Sequence, residues 1–277
     1  MGLPERARGD RLSGKVAIVT GAGYDGQFLG TGSATAQLLA TQGASVGLVD
    51  MDGERAAHTA SCVADAGGEC LVVVADVADA DACQGAVDKV VERYGRLDIL
   101  INNAGIATGG SVVDIDIEVW DRVMDVNLKS VMLMSRFAIP RMRSAGGGAI
   151  VNISSIAGLR GMGTSSYAAS KGGVAALTAD MAYSHGREGI RVNCIAPGHL
   201  FTPMGYHGDE ELRDARRAAG LLGTEGDAWD VAWAALFLAS DESRWITGAV
   251  LPVDAGTTTT TALAMRHHLA EAARHHA

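Results

Sequence analysis

The chain is poor in cysteine, in unbroken apolar sequence and in positive charge, and each shortage excludes a class of protein. Its four cysteines are Cys62, Cys70, Cys83 and Cys194. None forms a CxxC or has zinc-ligand spacing, so neither a disulfide framework nor a zinc module is expected; reduced thiols in a cytoplasmic protein are. No apolar run reaches the roughly 18 residues of a membrane span. The stretch 144–159 looks apolar but is broken by Gly, Ser and Asn. The opening MGLPERARGDRLSGK is charged throughout and has no apolar h-region, so no secretory signal is expected. The formal net charge is −9, which repels phosphate backbones and makes nucleic acid an unexpected partner.

What is present points to a globular protein. Hydrophobic residues make up 48% and charged residues 20% of 277, a balance that buries a core and does not suit disorder. Seven short β-branched runs recur: 15–20, 44–50, 69–76, 97–103, 148–154, 190–198 and 248–254. They are continuously apolar, as strands buried on both faces of a parallel sheet must be. Helical stretches separate them at 32–42, 53–66, 79–94, 116–144, 166–186 and 227–240, with apolar stripes such as Ala36, Leu39, Ala40 and Val87, Val90, Val91. The alternation predicts an α/β fold: one Rossmann-type, doubly wound parallel sheet of about seven strands flanked by helices. That single domain is expected to span residues 1–256, with a C-terminal tail at 257–277.

The first strand runs into TGAGYDGQFLGTGSATAQLLA. A glycine-rich strand-to-helix turn lets backbone N–H groups and a helix N-terminus meet a pyrophosphate. Gly21, Gly23 and Gly26 spell GxGxxG, but the apolar stripe places the helix start near Gly32. Gly30 and Gly32 therefore close the turn, and Tyr24–Leu29 is extra loop. Asp50 ends the second strand, where a carboxylate accepts the hydroxyls of an adenosine ribose and repels a 2′-phosphate. With Met51, Asp52 and Gly53 following it, NAD is the expected cofactor. Taken alone, Asp50 could equally cap the next turn.

Tyr167 and Lys171 stand four apart and share one helix face. An ammonium beside a phenol favours phenolate, which prepares a general acid/base. Ser154, at the end of the fifth strand, lies where open α/β sheets bind ligands and could donate to a carbonyl or alkoxide oxygen.

With TGAG (20–23), GTG (30–32), ADV (75–77), NNAG (102–105), VNL (126–128), NISS (152–155), YAASK (167–171), APGHLFT (196–202) and ITGAVLPVDAG (246–256), the chain resembles the short-chain dehydrogenase/reductase family, in its TGxxxGxG/YxxxK subgroup, from about Gly14 to Gly256. The resemblance implies an NAD-dependent oxidoreductase interconverting a secondary alcohol and a ketone. Tyr167 would be the acid/base, Lys171 would also hold the nicotinamide ribose, Ser154 would orient the substrate oxygen, and Asn127 would hold a relay water. Asp76 and Val77 would face the adenine, and Asn103, Ala104 and Gly105 the adenosine. Pro197, Gly198, Leu200 and Thr202 would contact the nicotinamide end. A lid at about 203–223 would supply substrate contacts from Met204, Tyr206 and His207, and Arg160–Thr164 another wall. No metal is required, and a homotetramer joined through the helices around YxxxK and the last strand is expected. Two other readings stay open: a 3-oxoacyl-carrier-protein-type reductase and a non-catalytic dinucleotide-binding protein.

One departure stands out. About five residues are inserted in the cofactor turn relative to the family pattern. Tyr24 and Phe28 within it suit a segment folded over a dinucleotide better than a solvent-facing loop. The tail's paired histidines, His267/His268 and His275/His276, read as a polar surface helix.

Overall fold

The computed structural model describes residues 3–4, 8–205, 209–261 and 263–266. Seven strands form one parallel sheet: β1 (Val16–Thr20), β2 (Ser45–Asp50), β3 (Glu69–Val74), β4 (Ile99–Asn102), β5 (Gly148–Ile153), β6 (Ile190–Pro197) and β9 (Val250–Val253). Their order is β3-β2-β1-β4-β5-β6-β9, so the direction of winding reverses between β1 and β4. That switch point opens a crevice at the carboxyl ends of the strands.

The central apolar runs form strands because both of their faces are covered, while the edge strands β3 and β9 leave Val74 and Leu251 exposed. In β1, Ala17 and Val19 enter a core shared with α1 (Thr31–Thr41) and α8 (Ala228–Ala239). Val16 and Ile18 enter the opposite core, with α3 (Ala80–Tyr94), α5 (Ser130–Ser144) and α6 (Ser165–His185). Ile101 and Leu100 of β4 divide in the same way, as the two-residue period of a strand requires. Aspartates start most of the helices. Asp52 accepts from Glu54 and Arg55 N–H at the head of α2 (Gly53–Asp65), Asp79 caps α3, and Asp227 forms a capping box with Asp230 on α8.

Three features differ from the sequence expectation. The helix expected over 116–144 is three pieces: α4 (Ile117–Met124), a π-helical turn (Asp125–Lys129) and α5. A helix, α7 (Glu210–Ala219), fills much of the expected lid; the sequence indicates only its solvated start, at Asp209, Glu210 and Glu211, which is where the helix begins. Two two-residue strands, β7 (Leu200–Phe201) and β8 (Gly226–Asp227), pair beside it. Among the described residues no helix is long and apolar enough to cross a membrane. The paired histidines of the tail lie outside the described residues.

Candidate active site

The glycine turn joins β1 to α1 by a very close approach. A Cβ on Gly32 would stand 2.0 Å from the Gly21 carbonyl oxygen, so only glycine lets the helix start there. Asn103 ties this turn to the end of β4: its Nδ2 donates to the Thr20 and Gly21 carbonyls at 3.0 and 3.1 Å, and its Oδ1 accepts from Thr31 Oγ1 at 2.7 Å. Ala104 N–H donates to Thr20 Oγ1 at 3.0 Å. Asn103 thus serves the turn's architecture, a role its motif does not reveal.

Unlike α2, α3 and α8, helix α1 has no side-chain cap. Its N-cap is Gly30, and its first turn carries no acidic residue. Its first N–H groups and the positive end of its dipole are left for an outside anion. Asp50 stands nearby and does two things. Its Oδ2 accepts from Gly23 N–H at 2.8 Å, and its Oδ1 accepts from Asp52 N–H at 3.0 Å. It therefore caps the following turn and also holds the glycine turn. Arg55, whose Cβ a side chain on Gly23 would touch, directs its guanidinium to Asp52 at 3.3 Å and not to Asp50. A bare helix N-terminus beside a ribose-height carboxylate fits a pyrophosphate and an unphosphorylated adenosine ribose.

Further along the sheet edge, Asp76 follows β3. Its carboxyl is held below the usual range by the Ala78 N–H, and Arg122 Nη2 reinforces this at 3.1 Å. Val77 is buried beside it. Asn127 sits in the π-helical turn, fully buried. Its Oδ1 accepts from Ile106 N–H at 2.8 Å, and its Nδ2 donates to the Ile106 carbonyl at 2.9 Å and to Ser170 Oγ at 3.1 Å. Both amide donors are engaged within the protein, so the side chain anchors the backbone after β4. Gly105 leaves the space this needs, since a Cβ there would lie 3.2 Å from Lys171 Nζ and 3.3 Å from Asn127 Oδ1.

Tyr167 and Lys171 lie on α6, with Lys171 Nζ 5.7 Å from the centre of the Tyr167 ring. The ammonium is over the ring and donates to the Ile153 carbonyl at 2.8 Å. The expected lowering of the phenol's pKa by Lys171 does not describe this arrangement. Burial raises the phenol above its ordinary value, and a hydrogen bond with the Ser155 hydroxyl opposes that. Burial also lowers Lys171 to about 8, against a smaller opposing influence of Cys194.

The serine assignment needs correction. Ser154 is 2% exposed, and its Oγ donates to the Lys171 carbonyl at 2.7 Å. Asn152, on the same side of the strand, likewise turns to α6, donating to Thr178 Oγ1 at 2.9 Å. Side chains alternate along an extended chain, so the next hydroxyl points elsewhere. It is Ser155, extended at φ −167° and ψ 157°, that meets the Tyr167 phenol, while its Oγ also accepts from Ala157 N–H at 3.1 Å. Applying the two-residue period through Asn152 would have found it.

After β6, a Cβ on Gly198 would stand 2.6 Å from Asp254 Cα. Pro197 ends β6, Leu200 lies in β7 and Thr202 is buried. The strand ends thus bring all the expected cofactor positions to one edge of the sheet. Met204 is 46% exposed, whereas Tyr206 and His207 lie outside the described residues. Arg160 reaches away to the Thr258 carbonyl at 2.9 Å.

Known proteins resemble this chain in sequence and in fold. A family model described as enoyl-(acyl carrier protein) reductase matches residues 27–258, beginning inside the inserted loop. The 3-oxoacyl-[acyl-carrier-protein] reductase of Thermotoga maritima is 40% identical over 89% of this chain and 98% of its own length. Cis-4-hydroxycyclohexanecarboxylate dehydrogenase of Sinomonas cyclohexanicum is 40% identical over 90% of this chain and 99% of its own. The crystal structure of carveol dehydrogenase from Mycobacterium avium in complex with NAD superposes with a TM-score of 0.86 at 34% identity, covering 91% of this chain and all of that one. On sequence and on fold alike, the chain belongs to the short-chain dehydrogenase/reductase family.

Proposed function

We propose that this protein is an NAD-dependent oxidoreductase that interconverts a secondary alcohol and a ketone. The observation that carries the reading is the grouping of Ser155 and Tyr167 beside buried Lys171, at the same sheet edge as the uncapped α1 and Asp50. The α1 N-terminus with Gly21, Gly23, Gly30 and Gly32 would hold the pyrophosphate, and Asp50 the adenosine ribose. Asp76, Val77, Asn103, Ala104 and Gly105 would border the adenosine side. Pro197, Gly198, Leu200 and Thr202 would border the nicotinamide. A bound nicotinamide supplies hydride acceptance or donation.

The protein's own groups handle the proton. In reduction, Tyr167 gives its phenolic proton to the substrate oxygen; in oxidation it takes the hydroxyl proton. Ser155 orients that oxygen and donates to its developing charge. Lys171 sets a positive field against the phenol ring, and Asn127 positions the backbone that borders it. Ser155→Ala is expected to lower kcat by about 10²-fold or more, as loss of such a donor does. Ser154→Ala should keep turnover and lose about 1 kcal/mol of stability with its buried hydrogen bond. Steady-state kinetics and denaturant melts on the two variants decide which hydroxyl acts.

A panel of secondary alcohols with NAD or NADP, read by absorbance of the reduced cofactor, tests the function. NAD-linked oxidation of at least one alcohol is expected. The two Sinomonas relatives are named for hydroxycyclohexanecarboxylates, which places cyclic hydroxy acids first in the panel. The Thermotoga relative supports a second reading, 3-oxoacyl-thioester reduction. Asp50, with no cation directed at it, opposes the NADPH commonly used there. Activity only with NADPH and a 3-oxoacyl thioester would select that reading.

We also propose a homo-oligomer, on the model of a tetramer. An apolar groove across α4, α5 and α6, lined by Met124, Leu128, Met132, Gly173, Ala176 and Leu177, is the kind of face an isologous contact covers. Its placement around the Tyr167 helix suits the arrangement expected of the family. The chemistry described fits a cytoplasmic enzyme acting on a small molecule.

A further inference from the structure

The inserted segment between Gly23 and Gly30 is firmly built. Tyr24 N–H donates to the Arg55 carbonyl at 3.0 Å, and its ring lies against His58 with centroids 4.6 Å apart. The Asp25 carboxylate accepts from the Gln27 and Phe28 N–H groups, both at 2.9 Å, which fixes a bend. Leu29 is then buried at 8% exposure. Out of this bend Phe28 meets Phe201 edge to face, with centroids 5.6 Å apart and planes at 81°. Phe201 also carries the Arg213 guanidinium, 4.1 Å from its ring centre. Arg213 donates to Glu225 at 2.8 Å, and the Glu225 side chain is only 3% exposed.

A continuous line of contacts therefore runs from the glycine turn, through β7, to α7 and the approach to β8. Its two ends belong to the turn after β1 and to the segment after β6. Phe28 lies between the glycines that would hold the pyrophosphate. Phe201 lies between Leu200 and Thr202, which would border the nicotinamide. The Phe28–Phe201 contact thus joins the segment that would hold the pyrophosphate to the one that would border the nicotinamide.

We propose that residues 24–29 form a strap over the bound dinucleotide, latched to α7 through Phe28, Phe201 and Arg213, so that the dinucleotide leaves only after the two phenylalanines part. The proposal rests on the dehydrogenase reading and adds to it a kinetic barrier to cofactor exchange. Both side chains are half-buried at the surface, so truncating either leaves the core intact.

The test is stopped-flow release of NADH from the full-length protein, followed by its fluorescence, in Phe28→Ala, Phe201→Ala and the double variant. Each single change is expected to speed release about three- to tenfold, the range for loss of one aromatic pair. The double variant should release no faster than Phe201→Ala alone, because that change already removes the Phe28–Phe201 contact together with the Arg213 stacking. Phe28→Leu should fall between Phe28→Ala and the parent. An unchanged release rate, or effects that multiply in the double variant, overturns the strap while leaving the dehydrogenase reading intact. Failure of the parent protein to bind NADH overturns both.

Discussion

Tyr167→Phe is expected to lower kcat by about 10³- to 10⁴-fold while leaving NAD affinity within a few-fold of the parent. The ring, its packing and the face it presents to Lys171 all persist; only the hydroxyl goes. That hydroxyl is the titratable group beside Ser155 at the sheet edge, and general acid/base transfer by a positioned side chain contributes on the order of 10²- to 10⁴-fold. The upper part of that range is expected here because burial already disfavours any water that could replace it. Fluorescence titration with NADH and steady-state rates with one active alcohol suffice. Turnover that survives in Tyr167→Phe would end the mechanism.

The raised pKa of the phenol bears on direction. A phenol that keeps its proton more tightly than free tyrosine is the acid that ketone reduction needs at neutral pH. Oxidation needs the same oxygen without its proton, so its rate should climb with pH until about 8, where Lys171 begins to lose its charge.

The sequence carried the fold where an apolar run or stripe is present and failed where it is absent. Strands of a parallel sheet are read from unbroken apolar runs, and all seven stand where those runs are. Helix α7 has no buried residue; its EELRDARRAA is held by ion pairs such as Arg217 with Glu210. Apolar periodicity cannot register such a helix, and only its acidic first turn was visible. The two-residue strands β7 and β8 are too short to show a period. The π-helical turn at Asp125–Lys129 adds one residue to a helical turn without disturbing the apolar pattern, so a single helix was expected. At the site, Tyr167 and Lys171 were legible because a four-residue spacing fixes a helix face. The serine was misassigned by one because counting from Tyr167 does not say which of two adjacent hydroxyls faces it. The strand period does, once Asn152 is seen to point inward. The Tyr–Lys charge relation was misjudged for a different reason: spacing brings two side chains together but does not set where the ammonium ends up, and here it turns to the Ile153 carbonyl.

Lys171→Met is expected to be nearly inactive and yet more stable than the parent at pH 7. Burial lowers the lysine from 10.5 to about 8, which at about 1.4 kcal/mol per tenfold corresponds to roughly 3 kcal/mol of strain on the folded state whenever the side chain is charged in both states. Below pH 8 that strain is fully present. Between about 8 and 10.5 the folded protein has released a proton that the unfolded chain still binds, so parental stability rises with pH. A methionine of similar length removes the charge, though losing the hydrogen bond to the Ile153 carbonyl offsets about 1 kcal/mol. The net gain is therefore about 1–2 kcal/mol at pH 7, and it should vanish as the pH approaches 10.5. Chemical denaturation of the two proteins across that span shows whether the curves converge. The same proton governs catalysis: kcat/KM for ketone reduction in the parent should begin to fall above about pH 8, where Lys171 loses its charge, and not at the higher pKa of the phenol. A variant less stable at pH 7, with a gap that does not change towards pH 10, would show that the ammonium is not strained, and the buried charge would lose its place as the element that trades stability for turnover.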